Sequence, residues 1–212
     1  YEVHRDMDGK SFSNRRVVAI QNNKPIFHCG VSFHLPETGL FHTSAMPDVP
    51  APEALVDVAE FINDVSIDPK HAARLAKMAP AVEFRLIDGL AIARRRPLAS
   101  QTGVWFKLRA PVEDNRQLHE VLLAYFSDYH LLASSLRPHG LTYVDLKMAS
   151  LDHAIWWHQR PNLNDWLLYS MESPSATDGR GFTRGQLFNR QGVLIASVAQ
   201  EGLIRKITQT PS

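Results

Sequence analysis

The sequence predicts an α+β fold in which antiparallel sheets pack on a long helix. Strand-like runs joined by Asn, Gly, Pro and Asp turns occupy most of the chain, which is typical of antiparallel meanders. Residues 115–132 instead repeat their apolar side chains at intervals of three and four, the period of a helix with one buried face. Strands in series beside such a helix favour an α+β arrangement.

The first strands are predicted near the start of the chain, over residues 12–20 and 26–33, with a tight turn at Gln21-Asn22-Asn23-Lys24. Residues 9–13 (Gly-Lys-Ser-Phe-Ser) resemble residues 179–183 (Gly-Arg-Gly-Phe-Thr), and both lead into a polar hairpin. Either any two amphipathic hairpins look alike, or the chain contains two copies of one small fold.

The middle of the chain carries the signals of a linker. Prolines at 36, 47, 50 and 52 interrupt regular structure, and residues 53–78 then favour helix, broken at Asp68-Pro69. We therefore predict a first domain over 1–47, a linker over 48–80 and a second domain over 81–212.

The second domain is predicted to contain six strands and the long helix. A helix stop follows at Arg137-Pro138-His139-Gly140. The predicted strands span residues 81–87, 103–109, 147–158, 166–172, 180–189 and 193–205.

Charge and cysteine content exclude several classes of protein. Lys and Arg total 23 against 22 Asp and Glu, a net charge of +1, so the composition does not indicate a basic footprint for nucleic acid. The single cysteine, Cys29, allows no intramolecular disulfide, and its apolar strand-like setting favours inert packing. No apolar stretch is long enough to span a bilayer. We expect a cytoplasmic homo-oligomer with no nucleic-acid or membrane partner, whose subunit number the sequence leaves open.

Three polar residues stand out as candidates for chemistry. Asp128 borders the apolar face of the predicted helix, and Gln200 shares one side of a predicted strand with apolar residues. A helix-edge carboxylate facing solvent and a structural amide are equally good interpretations of position alone. Ser150, at the start of Ser150-Leu151-Asp152-His153, would attract no attention by itself.

Other catalytic arrangements are disfavoured. His153 and His158 lie five apart on a presumed strand and so on opposite faces, and no His-Glu-x-x-His motif occurs, so no metal site is predicted. Adjacent strand residues point to opposite sides, which separates Asp152 from His153. The Gly-x-Ser-x-Gly motif, which would indicate a serine hydrolase, does not occur in the sequence. Residues 179–181 fit a hairpin turn better than a phosphate loop.

Several motifs together resemble the bacterial acyl-CoA thioesterase II family. Residues 150–158 (Ser-Leu-Asp-His-Ala-Ile-Trp-Trp-His) are similar to that family's Thr-Ile-Asp-His…Trp-x-His signature. Residues 165–173, 179–188, 196–202 and 8–27 also resemble it. The resemblance covers nearly the whole chain and thins between residues 48 and 79.

The resemblance implies a double hotdog, meaning two tandem units in which an antiparallel sheet wraps a long helix. It also implies hydrolysis of fatty acyl-CoA without a cofactor, by a water that Asp128, Ser150 and Gln200 hold. Ser150 replaces the family's usual Thr, and its hydroxyl keeps the same donor and acceptor. The family's first hotdog begins before the segment that corresponds to Tyr1, so we expect its N-terminal strands and helix to be missing from this chain.

Two rivals stay open at this point. A hotdog hydratase or dehydratase would use a His with a carboxylate, although the Asp-x-Asn-Pro-x-His pattern is absent. A truncated, non-catalytic acyl-CoA-binding module is the other.

Overall fold

A computed structural model describes residues 1–61, 81–89 and 95–207, with single positions at 69, 73, 76 and 77. The chain forms two compact units, residues 1–42 and 43–212. The predicted helix over 53–78 is wrong at its start, which forms short 3-10 turns at Pro52–Ala54 and Val58–Phe61, and the rest lies largely outside the described residues. The predicted limits of the linker and the two domains therefore stay a prediction.

The first unit is a three-stranded antiparallel sheet in the order β1-β2-β3. Its strands are β1 (Glu2–Asp8), β2 (Phe12–Gln21) and β3 (Lys24–His34). Asn22 and Asn23 form a two-residue loop between β2 and β3 with φ of 50° and 59°. Asn tolerates this left-handed conformation, which the tightest hairpins need, so the predicted turn is confirmed.

The second unit contains a seven-stranded sheet in the order β4-β5-β8-β9-β10-β6, with β7 also paired to β10. Its strands are β4 (Val82–Leu86), β5 (Thr102–Leu108), β6 (Leu146–Ser150), β7 (Ala154–Trp157), β8 (Leu167–Thr177), β9 (Arg180–Asn189) and β10 (Leu194–Lys206). All of these pairings are antiparallel, as predicted. One predicted strand, 147–158, is in fact two, because residues 151–153 interrupt it.

The segment before β4 packs against this sheet. The indole of Trp105 donates to the carbonyl of Pro50 (2.9 Å), and Arg109 forms an ion pair with Asp57 (2.5 Å). Met46 and Leu55 pack against a cluster that includes Trp105. Residues 46–57 are thereby attached to the second unit.

Helix α1 (Arg116–Phe126) begins where the sequence predicts and ends six residues earlier. Asn115 caps it by accepting a hydrogen bond from the Leu118 amide (3.1 Å). At the other end, the Ser127 hydroxyl lies 2.8 Å from the Ala124 carbonyl, and His130 has a φ of 65°, which turns the chain away from the helical path.

The apolar spacing predicts a buried face made of Leu118, Leu122, Tyr125, Phe126, Tyr129 and Leu132, and of these positions on α1 only Phe126 is buried. Leu123, Phe126 and His119 are its buried residues, whereas Tyr125 is 61% exposed. The apolar spacing continues through Tyr129 and Leu132, beyond the end of the helix. The predicted face is therefore rotated relative to the observed one. Leu123 and Phe126 pack into the core formed by the seven-stranded sheet, so the predicted packing of helix on sheet is confirmed.

A 3-10 segment, Leu132–His139, follows α1 and packs closely on β9 and β10. Gly140 ends it in the left-handed conformation (φ 61°), as the predicted stop signal requires. A Cβ at Gly181 would lie 2.8 Å from Ser135 Cβ, and one at Gly202 would lie 2.3 Å from a Leu132 methyl carbon. Two strand glycines therefore allow this segment to approach the sheet.

We expect Gly181→Ala to lower the free energy of unfolding by about 1–3 kcal/mol, because the backbone fixes the Cβ of Ser135 and the added methyl must displace it. Gly30→Ala in β3 is the matched control, since its methyl would meet no atom within 4 Å. Urea denaturation of both variants tests this. Equal stabilities for Gly181→Ala and the parent protein would show that the close approach is unimportant.

Candidate active site

Gln200 occupies the inward face of β10. Its side chain is fully buried (0% exposed), and Val198 and Gly202 on the same side of the strand are buried too. Its backbone carbonyl accepts from the Thr183 hydroxyl of β9 (3.1 Å), which adds to the strand pairing. The predicted setting of an uncharged amide among apolar neighbours is confirmed.

Asp128 and Ser150 meet Gln200 at this point. Gln200 Nε2 lies 2.8 Å from Asp128 Oδ1 and 2.6 Å from Ser150 Oγ, and Ser150 Oγ donates to the same carboxylate oxygen over 3.2 Å. The predicted convergence is confirmed, and it is tighter than expected because direct hydrogen bonds join all three side chains. Asp128 and Ser150 are exposed, so this cluster opens to solvent above a buried amide.

The sequence predicts Asp128 on the helix, and this is wrong. The residue lies in the turn, two positions beyond the helix end. Its proximity to the apolar face results from the helix end rather than from helical period. Oδ1 accepts both hydrogen bonds, and within the described part of the chain Oδ2 has no hydrogen-bond partner. The second carboxylate oxygen is therefore available to a ligand or a water molecule.

The break between β6 and β7 brings His153 to the same cluster. Ser150 pairs with Gly202 and Ala154 pairs with Ala199, so three residues on one strand oppose two on β10. This extra residue is a β-bulge, which changes the direction of the side chains that follow it. His153 Nδ1 consequently lies 3.3 Å from Gln200 Oε1, contrary to the face that strand alternation predicts.

Beneath His153 lie two further buried groups that sequence reasoning missed. His153 Nε2 is 2.8 Å from the hydroxyl of Ser127, and the Tyr169 hydroxyl donates to the Ser127 carbonyl (2.7 Å). Burial raises the pKa of the Tyr169 phenol well above its usual value, and the negative charge of Asp128 adds to the rise. Tyr169 therefore stays a donor and holds the backbone next to Asp128.

The other candidates of the sequence lie elsewhere. Asp152 Oδ1 accepts from the Glu201 amide (2.7 Å), His158 Nε2 lies 2.9 Å from Ser197 Oγ, and burial lowers the pKa of His158. Residues 179–181 begin at a hairpin turn, as predicted, because Thr177 pairs with Arg180. Cys29 is a half-buried free thiol in β3 of the first unit.

Comparisons with known proteins agree on one family. A family model described as acyl-CoA thioesterase matches residues 93–203. The chain is 35% identical over 210 residues to acyl-CoA thioesterase 2 of Haemophilus influenzae. The alignment covers 97% of this chain and 73% of that protein. The crystal structure of an acyl-CoA thioesterase II from Mycobacterium marinum has a TM-score of 0.80 and 38% identity, covering 97% of this chain and 73% of the other.

The fold comparison extends to more distant proteins. A protein from Alicyclobacillus acidocaldarius, described as having a hot dog fold, has a TM-score of 0.71 at 16% identity and covers all of this chain and 72% of its own. These likenesses confirm the predicted α+β hotdog class. Among the described residues, no helix is both long enough and apolar enough to cross a membrane.

Tyr169→Phe removes the donor to the Ser127 carbonyl, so we expect the free energy of unfolding to fall by about 1–2 kcal/mol at pH 8. The phenol has a pKa near 10 when unfolded and a higher one when folded, so its contribution is complete below about pH 10 and is lost as the pH rises further. The stability difference between parent and variant should therefore be constant below about pH 10 and shrink as the pH rises above it. Urea denaturation on both sides of this pH measures it, and a difference that stays constant throughout would contradict the assignment.

Proposed function

The chain belongs to the acyl-CoA thioesterase family and is a thioester hydrolase, and on this premise we propose that it hydrolyses fatty acyl-CoA to fatty acid and CoA with a water activated by Asp128 together with Ser150 and Gln200. The observation that carries the catalytic assignment is the convergence of these three side chains from a turn and two strands. One of them is a carboxylate with a free oxygen at the surface of the second unit.

The hydrogen bonds give each of the three groups a distinct donor or acceptor role. Gln200 has two amide hydrogens, and both are engaged, one with Asp128 and one with Ser150. Ser150 gives its single hydrogen to Asp128 and keeps an unused lone pair. A water between Asp128 Oδ2 and Ser150 Oγ would donate one hydrogen to each, which leaves its own lone pair directed at the substrate.

The reaction then needs no covalent enzyme intermediate. The water oxygen attacks the thioester carbonyl carbon while Asp128 accepts a proton, a contribution of roughly 10²–10⁴ in rate. Collapse of the tetrahedral intermediate breaks the C–S bond, and the departing thiolate takes up the proton. Holding the water in position adds several kcal/mol at best, since it replaces a bimolecular encounter.

The dehydratase rival gains a histidine near a carboxylate, because His153 lies in the same cluster as Asp128. Both of its ring nitrogens are engaged, however, with Gln200 and Ser127, and neither is free to take a proton from a substrate. Thiol release from palmitoyl-CoA, followed with a thiol-reactive dye, separates hydrolysis from dehydration and from binding alone.

We further propose that the protein works as a homo-oligomer in the cytoplasm. A single cysteine suits a reducing compartment. Light scattering coupled to size-exclusion chromatography would give the number of subunits.

We expect Asp128→Asn to reduce turnover of palmitoyl-CoA by roughly 10²–10⁴, because the amide keeps the shape of the carboxylate and cannot accept the proton. Stability should change little, since the side chain is exposed. Cys29→Ala is the control and should retain the parent rate. An Asp128→Asn enzyme as fast as the parent would refute the mechanism.

Ser150→Thr should keep turnover within about threefold, because it retains the hydroxyl and the added methyl only restricts the χ1 rotamer. Ser150→Ala removes the acceptor for the water and for Gln200, and we expect a loss of roughly 10- to 100-fold. Steady-state kinetics on both variants test this pair. Full activity of Ser150→Ala would exclude the hydroxyl from the site.

A further inference from the structure

His153 connects two fully buried groups and has no part in the hydrolytic steps above. Its Nδ1 faces the carbonyl oxygen of Gln200 at 3.3 Å, and its Nε2 faces the hydroxyl of Ser127 at 2.8 Å. Gln200 and Ser127 are both 0% exposed, so their polar atoms must find partners inside the protein. The ring itself is exposed, in the bulge between β6 and β7.

Donor and acceptor chemistry fixes the direction of the hydrogen bonds that Gln200 makes with Asp128 and His153. An ionised Asp128 only accepts, so Gln200 must turn its NH₂ toward the carboxylate and its carbonyl toward His153. A carbonyl also only accepts, so Nδ1 of His153 must carry a hydrogen. In the neutral ring Nε2 is then an acceptor. The Ser127 hydroxyl lies 2.8 Å from both Nε2 and the carbonyl of Ala124, so its single hydrogen must then point to Nε2 rather than to that carbonyl.

Without this donor the carbonyl of Gln200 would be buried and unsatisfied, which costs about 1–3 kcal/mol. The amide could recover that energy only by rotating toward solvent or away from the carboxylate. Either movement would release Asp128 and Ser150 from the geometry that Gln200 imposes.

We propose that His153, neutral and protonated on Nδ1, is a positioning residue that locks the amide of Gln200 in the orientation the site needs. It acts through Gln200 and takes no part in the proton transfer. The inference rests on the proposed water activation at Asp128. The Gln200 carbonyl selects the tautomer of His153, and Ser127 is the partner of its other ring nitrogen.

Two substitutions at one position separate this role from a merely structural one. Asn places its amide nitrogen on Cγ, where His carries Nδ1, whereas Gln carries its nitrogen one bond further, near the position of Nε2. We expect His153→Asn to keep kcat within about threefold and His153→Gln to lower it by roughly 10- to 100-fold with little change in KM. Thermal denaturation checks that both variants are folded. Equal losses of kcat in two folded variants would overturn the proposal.

A double-mutant comparison tests whether His153 acts through Gln200. Gln200→Ala should itself lower kcat, and adding His153→Gln to it should cause no further loss, because the amide to be positioned is gone. Multiplicative losses would mean that His153 contributes independently, which contradicts the proposal.

The ¹⁵N NMR spectrum of the histidine rings supplies a readout that does not depend on activity. In the parent protein at pH 8, Nδ1 of His153 should be protonated and Nε2 bare, with the resonance assigned by its absence from His153→Asn. The opposite tautomer would refute the proposal whatever the kinetics. Full activity of Asp128→Asn with the expected tautomer would instead refute the catalytic mechanism and leave the hydrogen-bond chain intact.

Discussion

A primary amide that is sealed from water must satisfy two donors and an acceptor within the protein, and Gln200 is such an amide. Each group left unpaired at this depth would cost about 1–3 kcal/mol, a large share of the stability of a typical domain. The two amide hydrogens are donated to Asp128 and Ser150, and the carbonyl oxygen accepts from His153. Burial of one side chain thus dictates the placement of three others, which come from a turn, a strand end and a bulge.

Most of the architecture could be predicted from the sequence, because strands and the turns between them depend on local residue patterns. A strand-like run bounded by turn residues predicted a strand over residues 180–189, and β9 occupies the same residues. Asn22-Asn23 predicted a hairpin whose φ angles only a few residue types accept. The length of α1 was not predictable in this way, because Ser127 and His130 end it by a side-chain contact and a left-handed backbone, neither of which alters the apolar spacing.

The convergence of the three candidate side chains was predictable from the sequence, but the hydrogen bonds that join them were not. Asp128, Ser150 and Gln200 were identified from their setting together with motif resemblance, but alternation placed His153 on the wrong face of a continuous strand. The bulge that reverses its direction is defined by two pairings, Ser150 with Gly202 and Ala154 with Ala199. A count of residues between paired positions needs both strands, so no local pattern in residues 147–158 could reveal it.

The division between buried and exposed groups explains how an open site can still be ordered. Asp128 and Ser150 lie at the surface, where a long acyl thioester can approach, and exposed side chains normally sample several rotamers. Here each is tied to the buried amide, whose own freedom is removed by β10 on one side and His153 on the other. Asp128 is also held from behind, because Tyr169 fixes the Ser127 carbonyl that precedes it in the chain. Order is therefore supplied from the core, while Asp128 Oδ2 has no hydrogen-bond partner among the residues that the structure describes.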